Sequence, residues 1–203
     1  MTADKNDTSA PAFDLLTIGH SNHPIEHFVD LLRSAGVTAI VDVRTVPFSR
    51  RYPWFSAKSL PDHLKAAGIA YVPLGDALGG RPDDASLLRD GVADYEAMAQ
   101  RDTFRAGLDR VTDGARRFRV CLMCAEREPL DCHRCLLVAR ALAERGMTIG
   151  HVLADRTIEP HRETEERLLK LAKTGSDLFA DRPARLAEAY RRRAGTAAYR
   201  TKP

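Results

Sequence analysis

The stretch of sequence that decides the fold is FRVCLMCAEREPLDCHRCLLVARALAERGMTIGHVL, residues 118 to 153. A short apolar run at residues 118 to 125 is followed by a polar segment, an amphipathic run at residues 132 to 146 and a second apolar run at residues 147 to 153. Short apolar runs on either side of a segment with helical periodicity are typical of strands joined by a helix. The stretch therefore predicts a β-α-β unit with two parallel strands.

The same alternation extends through the preceding part of the chain. The segment TAIVDVR, residues 38 to 44, is almost continuously apolar, as expected for a parallel strand that helices cover on both faces. The predicted strands are residues 15 to 19, 38 to 44, 69 to 74, 118 to 125 and 147 to 153, and the predicted helices are residues 23 to 36, 56 to 68, 94 to 100, 102 to 115, 132 to 146, 159 to 173 and 182 to 195. This pattern predicts a three-layer α/β fold with a mostly parallel five-stranded sheet, helices on both faces and a C-terminal helical extension.

Length and composition indicate one globular domain. The chain has 203 residues, of which 44% are hydrophobic and 29% charged, and its apolar runs are far too short to span a membrane. We predict a disordered segment at residues 1 to 12, a single α/β domain at residues 13 to 181 and a basic helical tail at residues 182 to 203. No basic start with a following apolar stretch marks a secretory signal, so we expect a cytoplasmic protein with reduced cysteines and no membrane partner.

The predicted tail carries the excess of positive charge. From residue 182 onward, seven Lys and Arg residues stand against one acid, a local charge of +6, so residues 1 to 181 carry −3 within the net charge of +3. An Arg-rich tail is a candidate for binding nucleic-acid backbone, although such a run is more often a solvated helix face. The β/α repeats end before the tail, so its removal is expected to leave the fold intact.

Three motifs follow predicted strands, and a fourth lies between them. They are TIGHSN at residues 17 to 22, VDVRTVPFSRRYPWF at residues 41 to 55, GIAYVPLGDALGG at residues 68 to 80 and LMCAEREPLDCHR at residues 122 to 134. With these motifs in this order over roughly residues 14 to 155, the chain resembles the domain of unknown function 488 family. The resemblance implies a compact α/β fold with a shared pocket and no established reaction.

All four cysteines of the chain lie in the last of these regions, as two Cys-x-x-Cys pairs: Cys121 with Cys124 and Cys132 with Cys135. Zinc ribbons place such pairs on turns, so that both thiolates face one ion. Residues three apart on a strand point to opposite faces, so Cys121 and Cys124 are not expected to converge. We therefore predict no metal site formed by the four cysteines, and we expect Cys121 and Cys135 to lie in the core.

The remaining polar groups of this region are the predicted catalytic residues: Cys124, Glu126, Cys132 and His133. Asp131 is expected to cap a helix that starts at Cys132, which places that thiol near the positive end of the helix, where a thiol is acidified. Glu126 and His133 are candidates for proton transfer. The alternative is that Cys132 is a small buried hydrophobe and His133 a hydrogen-bonded supporting residue.

Loops that follow strands supply the predicted substrate-binding groups. Arg44 and Arg50 lie after the second strand and suit a phosphate or carboxylate, although Asp42 is an alternative partner for Arg44. The loop DALGGRP, residues 76 to 82, matches no nucleotide-binding fingerprint and is interpreted as a glycine turn. The predicted substrate-binding residues are His20, Ser21, Asn22, Asp42, Arg44, Ser49, Arg50 and Arg134.

These residues favour a small enzyme that acts on an anionic substrate, phosphorylated or nucleotide-like, at the carboxyl edge of the sheet. The sequence assigns no cofactor. Two alternatives stay open. One is a non-catalytic module that binds nucleic acid or a nucleotide through the same arginines. The other is a redox or metal module formed by Cys124, Cys132 and His133.

Overall fold

The computed structural model describes residues 13 to 172 and 181 to 201. The predicted disordered segment, residues 1 to 12, lies outside the described residues. Within the described ranges, no helix is both long enough and apolar enough to cross a membrane.

A six-stranded sheet forms the middle layer of the fold, in the order β3-β2-β6-β1-β7-β8, and a small antiparallel hairpin, β4-β5, lies apart from it. The first five sheet strands pair in parallel, and β8 is antiparallel to β7. The strands are β1 (Leu15–Gly19), β2 (Ala39–Asp42), β3 (Ala70–Pro73), β4 (Leu88–Arg89), β5 (Val92–Ala93), β6 (Val120–Cys124), β7 (Ile149–Val152) and β8 (Ile158–Pro160).

The prediction of five strands is wrong by one, because β8 was assigned to the start of a helix and the loop before it. It has only three residues, all half-buried, and ends in a proline. Such a segment shows no measurable alternation of apolar and polar residues, and a proline is tolerated at the edge of a sheet. The five predicted parallel strands are all present.

Helices cover both faces of the sheet, as predicted. They are α1 (Ile25–Ser34), α2 (Leu60–Ala66), α3 (Gly75–Leu78), α4 (Tyr95–Ala99), α5 (Asp102–Ala115), α6 (Arg140–Glu144), α7 (His161–Ala172) and α8 (Arg182–Ala197). A π-helical stretch, Arg134–Ala139, leads into α6, and all six of its residues are buried. This segment is therefore surrounded by the rest of the fold, and it fixes the position of the residues just before it.

Alternating residues of the strands divide the core into two clusters, one on each face of the sheet. On one face Ile18 and Cys121 pack with Phe28 of α1, whereas Leu122 and Cys124 belong to the cluster on the opposite face. The period of two along a strand requires this separation. The prediction that Cys121 and Cys124 do not converge is confirmed.

The C-terminal segment packs against the rest of the fold. Ala189 and Tyr190 of α8 are buried in the larger core cluster. Beyond the helix, the Tyr199 carbonyl accepts a hydrogen bond from the Ala93 backbone N–H, and the Thr201 N–H donates to the Gly91 carbonyl. Because these contacts tie the segment to β5, we expect truncation at residue 181 to destabilise the fold, contrary to the expectation from the sequence.

Candidate functional site

A cavity of about 270 Å³ opens at the carboxyl ends of the central strands. Loops after β1, β2 and β6 contribute to its wall, as the parallel arrangement of these strands requires. Seven of the residues that the sequence suggested line it: His20, Arg44, Ser49, Cys124, Glu126, Cys132 and His133. The cavity is thus the point where three separated motifs meet.

Two thiols, a carboxylate and an imidazole form a closed cluster at the floor of this cavity. Glu126 Oε2 lies 3.0 Å from Cys124 Sγ and 3.0 Å from Cys132 Sγ, and accepts a hydrogen bond from each thiol. His133 Nδ1 lies 3.6 Å from Cys124 Sγ and 3.9 Å from Cys132 Sγ. Both thiols are buried, whereas Glu126 is exposed. Glu126 is therefore the member of the cluster most accessible from the cavity.

The ring of His133 is held in one orientation. Its Nε2 donates a hydrogen bond to the Val43 carbonyl at 2.8 Å, which leaves Nδ1 directed at the two thiols. Gly80 lies against the other side of the ring, where an added Cβ would be 2.6 Å from the ring carbon Cγ. Gly80, in the glycine pair that the sequence suggested to be a simple turn, therefore makes room for His133.

The segment before the π-helical stretch does not start in the way the sequence suggested. Asp131 does not cap the helix; its carboxylate instead forms an ion pair with Arg193 of α8. Cys132 has an extended backbone, and its Sγ accepts a hydrogen bond from the Arg134 backbone N–H at 3.4 Å. The thiol itself thus occupies the capping position, because Asp131 is held in the preceding 3₁₀ turn, Pro129–Asp131.

The two thiols differ in acidity because they share a hydrogen bond. Burial alone would raise the pKa of Cys132, but the hydrogen bond with Cys124 and the charges of Arg134 and His133 hold it well below its usual range. The hydrogen bond with Cys132 and burial raise the pKa of Cys124. Partial burial and the negative charge at Cys132 also raise the pKa of Glu126. Cys132 is therefore the more acidic of the two thiols.

Arg134 lies behind the cavity and does not form part of its wall. Its side chain is fully buried, and its guanidinium donates to the Glu126 carbonyl at 2.6 Å and to the Arg127 carbonyl at 2.9 Å. Within the described residues no carboxylate pairs with it. Burial opposes the charge of Arg134, but the negative charges of Cys132 and Cys124 raise its pKa. Arg134 therefore supports the loop of Glu126 and places a positive charge beneath the thiols.

The charge of Arg44 is neutralised by an ion pair with Asp42 within the protein itself. Its guanidinium forms two hydrogen bonds with Asp42, at 2.8 and 2.6 Å, and its Nη1 lies 3.2 Å from His20 Nε2. Tyr71 donates a further hydrogen bond to Asp42 at 2.8 Å. Burial and the neighbouring Arg44 charge lower the pKa of His20 to about 4. His20 is therefore neutral near pH 7, and both of its nitrogen atoms have partners.

Besides Asp42 and Arg134, three more of the residues that the sequence suggested lie outside the cavity wall. Ser21 Oγ and Asn22 Oδ1 both accept hydrogen bonds from the Arg127 guanidinium. Arg50 is exposed and does not contribute to the wall. Ser49 is part of the wall, but its hydroxyl accepts a hydrogen bond from the Tyr52 backbone N–H and so shapes the loop.

Comparison with known families supports the grouping of these motifs. A family model described as domain of unknown function DUF488 matches residues 24 to 141, more than half of the chain. The chain belongs to the DUF488 family. The matched region of this DUF488 protein includes the whole floor cluster and Arg44 but not His20. No curated protein and no solved structure matched the chain.

Among the residues of the DUF488 cavity that sequence reasoning missed are Arg81, Tyr95 and Tyr199. Arg81 follows the glycine pair, and its guanidinium stacks on the Tyr199 ring with 5.5 Å to the ring centre. Tyr95, at the start of α4, completes the wall. The arginine beside two glycines after a strand was a usable signal for Arg81, whereas nothing local to the tail indicates that Tyr199 returns to the cavity.

A second group of cysteine and histidine lies deeper in the DUF488 fold. Cys135, His151 and His161 place their ligand atoms within 4.8 Å of one another. His151 Nδ1 lies 2.8 Å from Thr17 Oγ1, and His151 Nε2 lies 2.9 Å from His161 Nδ1. His161 Nε2 lies 3.1 Å from the Tyr190 hydroxyl. These four side chains, from Thr17 to Tyr190, are called the histidine chain below.

Proposed function

We propose that this DUF488 protein is an enzyme that acts on a small anionic substrate, phosphorylated or nucleotide-like, in the cavity at the carboxyl edge of the sheet. The observation that carries the proposal is the convergence of Cys124, Glu126, Cys132 and His133 at the cavity floor. Buried polar groups in a protein core normally form hydrogen bonds with one another. Here they are grouped below an opening to solvent, where they can act on a ligand.

The cavity rim supports an anionic substrate with a flat or apolar part. Arg81 lies in the wall, and within the described residues its guanidinium forms no ion pair. Val46 and Phe48 are 56% and 68% exposed at the same rim, and Tyr199 lies beside Arg81. Arg81 would bind the charged group, and the apolar side chains would contact the rest, such as a nucleobase. Arg44 is less suited to this role, because Asp42 already neutralises it.

Glu126 is the best placed group for proton transfer. It is exposed to the cavity, and its carboxylate is in contact with both thiols. His133, the other candidate, has its Nε2 bonded to the Val43 carbonyl and its Nδ1 facing the thiols, so neither nitrogen faces a substrate. A carboxylate in such a position exchanges protons with a substrate or a bound water.

The alternative of nucleic-acid binding through the tail has less support. Most arginines of α8 are paired with acids of the same protein, which neutralises the surface that nucleic acid would need. These ion pairs are Arg182 with Glu165 and Glu166, Arg191 with Glu188 and Glu96, Arg192 with Glu188, and Arg193 with Asp131.

The proposal is tested by offering the purified protein mixtures of phosphate esters, nucleotides and small carboxylates and following their loss by mass spectrometry. At least one compound should be consumed, and Glu126→Gln should slow its consumption by about 100-fold or more. Arg81→Ala should raise KM more than it lowers kcat, because it binds and does not react. Arg50→Ala is the matched control and should change neither constant. Consumption at an equal rate by Glu126→Gln would exclude the proposed role of the cluster.

A further inference from the structure

We infer that Cys124, Cys132 and His133 bind one zinc ion, whose fourth coordination position faces Glu126 and the cavity. The inference deepens the proposed function and rests on it only for the role of Glu126. The three ligand atoms, two sulfur atoms and the imidazole Nδ1, all lie within 4.8 Å of one another, and all three residues are buried.

The distances between the ligand atoms are close to those around a tetrahedral zinc ion. Zinc bonds of about 2.3 Å to sulfur and about 2.0 Å to nitrogen place S and N roughly 3.5 Å apart. His133 Nδ1 lies 3.6 Å from Cys124 Sγ and 3.9 Å from Cys132 Sγ. Small movements of the Cys132 side chain would therefore complete the site without a change in the backbone.

Groups outside the ligand set hold the ligands as zinc proteins commonly do. A zinc-bound histidine usually donates its other ring N–H to a carbonyl or carboxylate, which fixes the ring and its tautomer. The Nε2 of His133 has this partner in the Val43 carbonyl at 2.8 Å. The backbone N–H of Arg134 donates to Cys132 Sγ at 3.4 Å and stabilises negative charge on that sulfur.

The charges around the site balance when the ion is bound. Zinc and the buried guanidinium of Arg134 together contribute three positive charges. The thiolates of Cys124 and Cys132 and the carboxylate of Glu126 contribute three negative charges. Because uncompensated charge is costly in a buried site, this balance favours a divalent ion over a monovalent one.

Three protein ligands leave a position for water, which is typical of catalytic zinc sites. Glu126 Oε2 lies 3.0 Å from both sulfur atoms, next to that position. A water molecule bound there would transfer a proton to Glu126 and become a hydroxide, the nucleophile of a hydrolytic reaction. This arrangement points to hydrolysis as the class of reaction and makes the two cysteines ligands of the ion.

The experiment titrates the full chain, stripped with a chelator, with Zn²⁺ and with Co²⁺ as a spectroscopic probe. We expect about one equivalent of metal per chain and an absorption band of sulfur-to-cobalt charge transfer. Cys124→Ser and Cys132→Ser should each lower the affinity at least about 10-fold, and so should His133→Ala. Cys135→Ser and His161→Gln, from the deeper group, are the matched controls and should bind as the unchanged protein does.

A second measurement uses the unchanged protein, so it does not depend on how well the variants fold. Iodoacetamide labelling resolved by peptide should show that Zn²⁺ protects Cys124 and Cys132 together and that a chelator removes the protection. Labelling of both thiols unaffected by Zn²⁺, or metal binding that survives their replacement, would overturn the site. Loss of the metal in Glu126→Gln would overturn the open fourth position. Metal binding without turnover of any substrate would instead leave the site intact and reject the proposed function.

Discussion

Two groups of three buried cysteine and histidine residues lie in the part of the chain from β6 to α7, and they differ in what their nitrogen atoms do. In the floor cluster, one imidazole nitrogen faces two thiols below an open cavity. In the deeper group, every imidazole nitrogen has a hydrogen-bond partner in the histidine chain. The floor cluster contributes Cys124, Cys132 and His133 to this comparison, and the deeper group contributes Cys135, His151 and His161.

The histidine chain is complete with both rings neutral. One direction of donation satisfies all of its members: Thr17 donates to His151, which donates to His161, which donates to Tyr190. The Tyr190 hydroxyl in turn lies 3.4 Å from a carboxylate oxygen of Glu165 and donates to it. Binding a metal would break at least two of these bonds, because each ligand nitrogen would have to release its partner. The same residue types therefore stabilise the fold in one place and leave a site for a ligand in the other.

Because the deeper group stabilises the fold and the floor cluster does not, a substitution in the deeper group should lower stability and leave metal binding at the floor cluster unchanged. His151→Leu leaves Thr17 and His161 without their partners in a dry core, and this should lower the free energy of unfolding by about 3 kcal/mol. Denaturation by urea measures the loss. Zinc binding and thiol protection at the floor cluster should stay as in the unchanged protein.

The matched variant for this test is Glu126→Gln, in the floor cluster. Its side chain is exposed to the cavity and keeps its shape, so the free energy of unfolding should change by less than about 1 kcal/mol. Equal losses of stability in His151→Leu and Glu126→Gln would remove the distinction between the two groups.

The sequence predicted where the three motifs meet better than which of their side chains line the cavity. The five parallel strands were recognisable from short apolar runs. Because loops after parallel strands meet at one edge of the sheet, a cavity was expected at that edge. Which side chain of a loop turns inward depends on the contacts of that loop. Arg50 points to solvent while Arg81 enters the wall, and no periodicity separates the two.

The tail shows the same limit on a larger scale. Its excess of arginine was visible in the sequence, but the acids that pair with it are distant along the chain, for example Asp131 with Arg193. The return of Tyr199 to the cavity depends on backbone pairing of the last residues with β5. Long-range pairing of this kind leaves no local pattern in a sequence.

The histidine chain should also make stability depend on pH. Burial lowers the pKa of His161 to about 4, below its ordinary value of 6.5, and burial and His161 lower the pKa of His151 as well. Below pH 6.5 His161 binds a proton in the unfolded chain but not in the folded protein. The stabilisation is therefore present above pH 6.5 and is lost as the pH falls toward 4. From His161 alone, the free energy of unfolding should fall by about 2 kcal/mol between pH 7 and pH 4.5.

The comparison that isolates this effect is between the unchanged protein and His161→Gln, because other groups titrate in the same range. Arg134 and Arg167 act on His151, and Glu165 lies 3.9 Å from His161 Nε2, but all three remain in the variant. The decrease in stability between pH 7 and pH 4.5 should therefore be about 2 kcal/mol smaller in His161→Gln. Parallel curves for the two proteins would show that His161 does not stay neutral in the fold.

The smallest expected effect tests whether α8 belongs to the histidine chain. Tyr190 is the only group in the chain that α8 contributes within the described residues, and its ring is buried in the larger core cluster. Tyr190→Phe keeps the ring and removes the hydroxyl, so His161 Nε2 loses its partner at 3.1 Å. Loss of one buried hydrogen bond should lower the free energy of unfolding by about 1 kcal/mol, measurable in the same urea experiment.

Combining the two substitutions separates a coupled chain from independent contacts. If Tyr190 stabilises the fold through His161, the cost of Tyr190→Phe should shrink when His151→Leu has already disrupted the chain, because coupled residues are not additive. Full additivity in the double variant would mean that the hydroxyl acts on Glu165 alone. The histidine chain would then end at His161, and α8 would be held by the burial of the Tyr190 ring and its ion pairs.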